Sequence, residues 1–414
     1  MSRARALALA ALVVLAGCGG SGASSSAAAS PSAANRARAT IALGIDLPLS
    51  GADASDGRPT ANGALLAIEQ AQPRFATLGF RLKAELLDDA VQGKHDPAAG
   101  AQNVKTFVSD PSVLAMIGPF NSNVAKSEIP LTNDAQLAQI SPSAVSDGLT
   151  VGADARALRA AHPDANAFFR VCTRDANQGG ALANFARTLG WKKIYVIDDD
   201  ETYGKDLADV FVARFAARGG MVLGRDHITA NQQDFKALLT KAKALGPDAI
   251  FFGGTTSTGG GLIRRQMADV GMGALPFVGG DGISDQEFIA VAGAEANETY
   301  YTVAAPDTPR LASAKTFVRR YEKRFGSPPG PYSANAYAAA VVALTAMEKA
   351  IVDAGGMPTR AEVLHYVAAT NGLATPIGAI GFDRNGDTTA PILTLVRIAG
   401  GKARAVDQIT LSNS

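Results

Sequence analysis

The chain has 414 residues, 47% of them hydrophobic, with 39 basic against 38 acidic side chains and two cysteines. Nothing in this even balance favours nucleic acid, which wants a strongly basic face, so no nucleic-acid partner is expected. Two cysteines exclude a disulfide-built scaffold, and the apolar share is enough for globular cores.

Arg3 and Arg5 precede an unbroken run of apolar or small residues, 6–17, which ends in Leu15-Ala16-Gly17-Cys18. A charged start, a short apolar core and small residues before a cut site describe a secretory signal over residues 1–17. The run falls short of the about 20 residues that a membrane span needs. Leu-Ala-Gly-Cys resembles the bacterial lipobox, which implies that Cys18 becomes the new N-terminus and carries lipid. Simple cleavage near Gly17, leaving a free Cys18, is the alternative. Residues 19–34 are almost wholly Gly, Ser and Ala with Pro31, a composition that behaves as flexible coil. Residues 18–39 are therefore expected to be a lipid anchor and tether. They would hold an exported domain at the outer face of the cell membrane or in a periplasm. Removal of the signal leaves 37 basic against 38 acidic residues, a formal charge of −1. The remaining length suits two or so domains at about 100–200 residues each. With Cys18 lipidated, Cys172 has no partner within the chain.

Beyond the tether, strands and helices alternate. Residues 41–45 read as a buried strand, 58–72 as a helix with Ala64, Leu65, Ile68 and Ala71 on one face, and 80–87 as a strand. Residues 96–108 are helical with Pro97 near the start, 113–117 a strand, 121–134 a helix and 137–140 a strand. After a polar, Ala-rich stretch at 151–166 the rhythm restarts. Strands are expected at 168–171, 194–197, 221–227, 249–253 and 276–278, and helices at 178–189, 203–217, 234–244 and 262–270. The helix at 203–217 carries Leu207, Val210, Phe211 and Phe215 on one stripe. Three helices follow at 311–325, 333–353 and 359–369, then strands near 378–382 and 392–398. A βαβα rhythm argues for parallel sheets covered on both faces, and two such halves with a helical return argue for two lobes on one chain.

Ligands of open parallel sheets sit beyond the carboxyl ends of the strands. Small, hydroxyl and acidic residues recur there: Ser50 to Asp53, Asn121 to Asn123, Ser141 to Ala144, Asp198 to Asp200 with Tyr203, Gly253 to Thr256, and Gly279 to Gly282. Ser122 near a helix N-terminus can hold an anion with free backbone N–H groups, or serve as an ordinary cap. Asp281 between glycines can hold a cation, or simply make local turn bonds. The run Asp198-Asp199-Asp200-Glu201 lacks the alternation and glycine of a calcium loop, and no metal is expected there. Asp383 to Asp387 reads as a turn. The four histidines, at 95, 162, 227 and 365, form no HExxH or close pair, and there is no nucleotide loop or nucleophile elbow. No cofactor and no catalytic residue is expected.

In order and spacing, several segments together resemble the type I periplasmic binding proteins of the branched-chain amino acid and amide class, which feed ABC transporters. They are IDLPLSG at 45–51, LDDA at 87–90, IGP at 117–119, SPSA at 141–144, VIDDDETYG at 196–204, DF at 234–235, FGG at 252–254, GDG at 280–282 and GFDRNGD at 381–387. The resemblance spans residues 41–398. It implies two Rossmann-like α/β lobes with parallel sheets, joined by three crossovers. The implied lobes are residues 40–166 plus 305–384, and 167–304 plus 385–414. It also implies that Ser122 binds a ligand carboxylate and that Ser143 and Ala144 hold the amino-acid head through their backbone. Tyr203 would be an aromatic lid, and Asp281 would pair with the ligand ammonium. Val145 stands where the family has a threonine, and Asp56 and Thr255 stand where branched-chain binders have aromatics. The implied pocket, with Val145 and Thr255 in its wall, is more polar than a leucine pocket. The implied function is capture of a small amino-acid-like or amide ligand and delivery to an ABC transporter permease. A ligand sensor on the same fold and a secreted hydrolase are the alternatives.

Overall fold

The computed structural model describes residues 39–229 and 231–411. The expected signal, Cys18 and all of the tether but its last residue lie outside the described residues.

The first lobe opens with β1 (Ala39–Leu47), α1 (Ala54–Thr77) and β2 (Phe80–Asp88). A small hairpin, β3 (Ala90–Val91) and β4 (Lys94–His95), leads into α2 (Pro97–Ser109) and β5 (Val113–Ile117). Then come α3 (Ser122–Asp134), β6 (Ala138–Ser141), α4 (Gly152–Leu158) and β7 (Phe168–Arg170). The sheet runs β2-β1-β5-β6-β7 and is parallel throughout. Its centre explains why: β5 is Val-Leu-Ala-Met-Ile, buried at every position, as a strand with both faces covered must be. Asp96 caps α2 by accepting from Ala99 N at 2.8 Å, and Pro97 fills the first turn, where its missing N–H costs nothing.

The second lobe continues with α5 (Asp175–Thr188), β8 (Lys193–Asp198), α6 (Thr202–Ala217), β9 (Met221–His227), α7 (Lys236–Ala244) and β10 (Ala249–Gly253). It adds α8 (Gly260–Asp269), β11 (Phe277–Gly279), α9 (Gln286–Ala292) and β12 (Thr299–Val303). The chain then returns to the first lobe through α10 (Lys315–Phe325), α11 (Ser333–Ala354), α12 (Arg360–Ala368) and the hairpin β13 (Leu373–Thr375) with β14 (Gly378–Ile380). It ends in the second lobe with β15 (Ile392–Ala399) and β16 (Lys402–Thr410). That sheet runs β16-β15-β12-β11-β10-β8-β9, parallel from β9 to β12 and antiparallel at β15 and β16. α11 is long and apolar enough to cross a membrane, yet it packs on α1 and β5 as the core helix of the first lobe.

The parallel α/β class and the two-sheet division agree with the sequence reading. One boundary moves. Residue 167 was expected to open the second lobe, but β7 pairs with β6 (Ile140 opposite Phe169), so the first crossover comes after Arg170. The polar stretch before it imitates a linker but contains α4. Five strands had no expectation: the short β3, β4 and β13, and the longer β12 and β16. β12 hides Thr299 and Thr302 in a central position, and β16 is a largely exposed edge whose charged residues blur any alternation.

The three crossovers lie side by side. Arg170 N donates to Gly386 O at 2.9 Å, and Thr173 N donates to Ala304 O at 3.4 Å. Arg170, fully buried, also binds Asp387 Oδ1 through Nε at 2.7 Å. The turn at Asp383 to Asp387, set by Asn385 N donating to Asp383 Oδ1 at 2.8 Å, therefore presents a hinge residue as well.

Candidate functional site

The carboxyl ends of the two sheets face each other across a cleft. From the first lobe it is lined by Phe120, Ser122, Asn123, Ser143 and Val145, and from the second by Glu201, Tyr203, Thr255, Asp281 and Gly282. His95 and Asn121 complete the wall around a cavity of about 30 Å³. Six of the seven expected ligand residues thus converge. Ala144 does not line the cleft: its N–H donates to Ser141 Oγ at 2.9 Å and its carbonyl accepts from Arg170 at 3.0 Å.

Ser122 is the first residue of α3, and its hydroxyl accepts from Ser146 N at 3.2 Å. Beside it, the side-chain oxygen of Asn121 is buried with no hydrogen-bond partner among the described residues. Ser143 Oγ donates to Phe120 O at 2.9 Å. From behind, Arg170 donates to Ser146 O at 2.8 Å, so one guanidinium holds two carbonyls of the loop that follows β6.

Opposite stands Asp281, 6% exposed, at the end of β11. Gln178 Nε2 donates to its Oδ1 at 2.9 Å, and the Tyr332 hydroxyl donates to its Oδ2. Burial pushes its carboxyl above the ordinary range, against the lowering effect of its bonds to Tyr332, Gln178 and Tyr203. Tyr203 OH accepts from Gly282 N at 2.9 Å, which ties the expected lid residue to the Asp281 loop. Thr255 Oγ1 is bonded to Ser257 Oγ at 2.9 Å, and its N–H donates to Thr258 Oγ1 at the same distance.

The chain matches the family described as "Periplasmic binding protein" over residues 40–403. It is 30% identical to the Leu/Ile/Val-binding protein homolog 3 of Brucella melitensis, over 87% of this chain and 92% of that one. Among solved structures it is similar to the leucine-binding protein LivK of Thermotoga maritima, with TM-score 0.77 and 26% identity over 89% of this chain and 98% of that one. It is also similar to LivJ of Streptococcus pneumoniae in complex with isoleucine, with TM-score 0.76 and 25% identity over 90% of this chain and all of that one. The chain belongs to the periplasmic binding protein family.

As in a type I periplasmic binding fold, each wall of the cleft comes from one lobe. The sequence missed several of its residues. Tyr332 reaches Asp281 from the start of α11, in the other lobe, and no local pattern signals such a contact. Phe120 stacks edge-on against Tyr332 with centroids 5.4 Å apart. Asp56, which the sequence did single out, lies in the first turn of α1, 8% exposed, and is not among the residues that line this cavity. Burial pushes its carboxyl well up, and the charges of Asp285, Asp53 and Asp281 push it further. Asp198, Asp200 and His227 lie close enough together to share a cation. However, Asp198 already accepts from Arg225 Nε at 2.5 Å and His227 Nδ1 at 2.6 Å, and these bonds join β8 to β9.

Proposed function

We propose that this periplasmic binding protein closes its lobes around a small amino-acid-like or amide ligand and delivers it to the permease of an ABC transporter. The observation that carries this reading is the opposition of two unlike walls. Ser122, at the N-terminus of α3, suits a carboxylate or carbonyl oxygen. Asp281, with only neutral donors around it, suits an ammonium or amide N–H. Ser143, Val145, Tyr203 and Thr255 would enclose the ligand, while Ala144 would act by shaping the loop behind it. This is recognition chemistry, and we read the protein as a binder and not an enzyme. Asp56, where a branched-chain pocket would place an aromatic, favours a short or polar side chain over leucine. The similarity to Leu/Ile/Val-binding proteins makes isoleucine and leucine the reference ligands. Calorimetry with these two, serine, threonine, asparagine and small amides tests the reading. At least one zwitterion or amide is expected to bind with one-to-one stoichiometry. Failure of the whole panel would sink the ligand class.

Export and anchoring through Cys18 complete the proposal, since a ligand-delivering protein must stay near its permease. Lipid contributes about 0.8 kcal/mol per buried CH₂, so two or more chains hold firmly. Cys18→Ala is expected to move the protein from salt-washed membranes to the soluble fraction. Retention on the membrane would place the anchor elsewhere.

A further inference from the structure

The β3–β4 hairpin ends in His95, whose side chain is 2% exposed. Its Nδ1 lies 2.7 Å from Asp53 Oδ2, just after β1 in the first lobe. Its Nε2 lies 2.8 Å from Glu201 Oε2, at the head of α6 in the second lobe. Ionised carboxylates only accept hydrogen bonds, so a ring that serves both must carry a proton on each nitrogen. The two anchor points are built differently. Asp53 is fixed within the first lobe, because the backbone N–H of His95 also donates to its Oδ2 at 2.9 Å. Glu201 belongs to the second lobe, where its N–H donates to Asp199 Oδ1 at 3.1 Å. It meets His95, and Asn123 Nδ2 at 2.9 Å, across the mouth of the cleft.

We propose that His95 is a positioning residue for closure, an imidazolium that bridges Asp53 to Glu201, so that the protein takes up a proton as its lobes shut. The proposal rests on the clamp reading above. The charged groups around the ring agree with it. Besides Asp53 and Glu201, the acids that face the ring are Asp89, which follows β2, and Asp199, which follows β8; burial pushes the Asp89 carboxyl well up and that of Asp199 to about 7, so Asp199 adds its charge at alkaline pH while Asp89 adds little. The neighbouring cation, Lys94, turns away to Asn231 Oδ1 at 3.1 Å. Burial opposes the charged ring, but the bonds and charges of Asp53 and Glu201 outweigh it and hold His95 at about 10. Parting the lobes removes Glu201 and leaves Asp53, so the open form binds this proton less tightly. The His95 contribution to closure is therefore complete below the open-form pKa and disappears as pH rises through about 10. Between the two, closure weakens roughly tenfold for each pH unit.

The test is an NMR titration of the histidine ring nitrogens in the parent protein and in Glu201→Gln, with His95 assigned by its loss in His95→Gln. Gln keeps an acceptor but removes the charge. With isoleucine saturating, so that the lobes are shut, His95 is expected to keep both ring protons at about pH 8.5 in the parent, and its midpoint is expected to fall by about one pH unit or more in Glu201→Gln. Equal midpoints in the two proteins overturn the proposal. Calorimetry with isoleucine, in two buffers of unlike ionisation heat, supplies the linked readout. Uptake of close to one proton on binding at about pH 8.5 is expected in the parent and none in Glu201→Gln. Binding without proton uptake in the parent also overturns it. Should isoleucine fail to bind at every pH, both readouts are taken with the ligand of the panel above that does bind; if none binds, the clamp reading falls and this proposal with it.

Discussion

At the residue scale, the two walls of the cleft make unequal demands. Asp281 is buried among Tyr332, Gln178 and Tyr203, none of them cationic. A ligand ammonium held there becomes one half of a desolvated charge pair, and truncating the other half costs about 2–5 kcal/mol. The Ser122 hydroxyl contributes a neutral bond, worth about 0.5–1.5 kcal/mol, and the N–H groups of α3 remain when it is removed. Asp281→Ala is thus expected to weaken the best ligand far more than Ser122→Ala, in a side-by-side calorimetric titration. Parental affinity in Asp281→Ala would show that the ligand carries no positive group there. Both residues were legible in the sequence because each stands just after a predicted strand, where an open sheet places its ligand. Tyr332 was not, since it meets Asp281 only through the return of the chain. Nor was His95: a single histidine in a two-residue strand gives no periodic signal, and both its partners are distant in sequence.

At the scale of elements, parallel strands with uniformly apolar runs were the easiest to read, and β10 (Ala249–Gly253) fell where expected. β12 was missed because its register with β15 buries polar threonines, of which Thr302 donates from Oγ1 to Gln178 Oε1 at 2.8 Å. Sequence also could not show how closely α6 approaches β10. A Cβ on Gly253 would come within 2.2 Å of Gly204 O, a backbone atom that cannot swing aside. On the helix side, a Cβ on Gly204 would meet Gly253 O at 2.4 Å. These paired glycines set the depth at which α6 sits, and Tyr203 and Glu201 at its head take their place in the cleft from that depth. Gly253→Ala is expected to lower stability by about 1–3 kcal/mol, as overpacking does, through a lower urea midpoint at unchanged slope. An unchanged midpoint would mean that the two elements separate freely and do not fix the lid.

At the scale of the molecule, the walls of the cleft stand close together around a cavity of about 30 Å³. Parting the lobes widens it, and the crossovers decide how. All three run together beside Arg170, whose buried guanidinium binds Asp387 and the carbonyls of Ala144 and Ser146 at once. Such a bundle resists sliding but allows rotation about itself, the hinge type of domain motion. Away from the hinge the lobes touch through polar pairs that water can replace: His95 with Glu201, the Ser146 hydroxyl with Asp206, and Lys94 with Asn231. These contacts are few and polar, and the open form hydrates the groups that part, so a ligand bridging both walls can decide between the two forms. Small-angle scattering is expected to give a smaller radius of gyration at saturating ligand than without it. The curve at saturation should match the closed lobes described here. An identical curve under both conditions would count against a clamp, and would require another route by which ligand reaches Ser122 and Asp281.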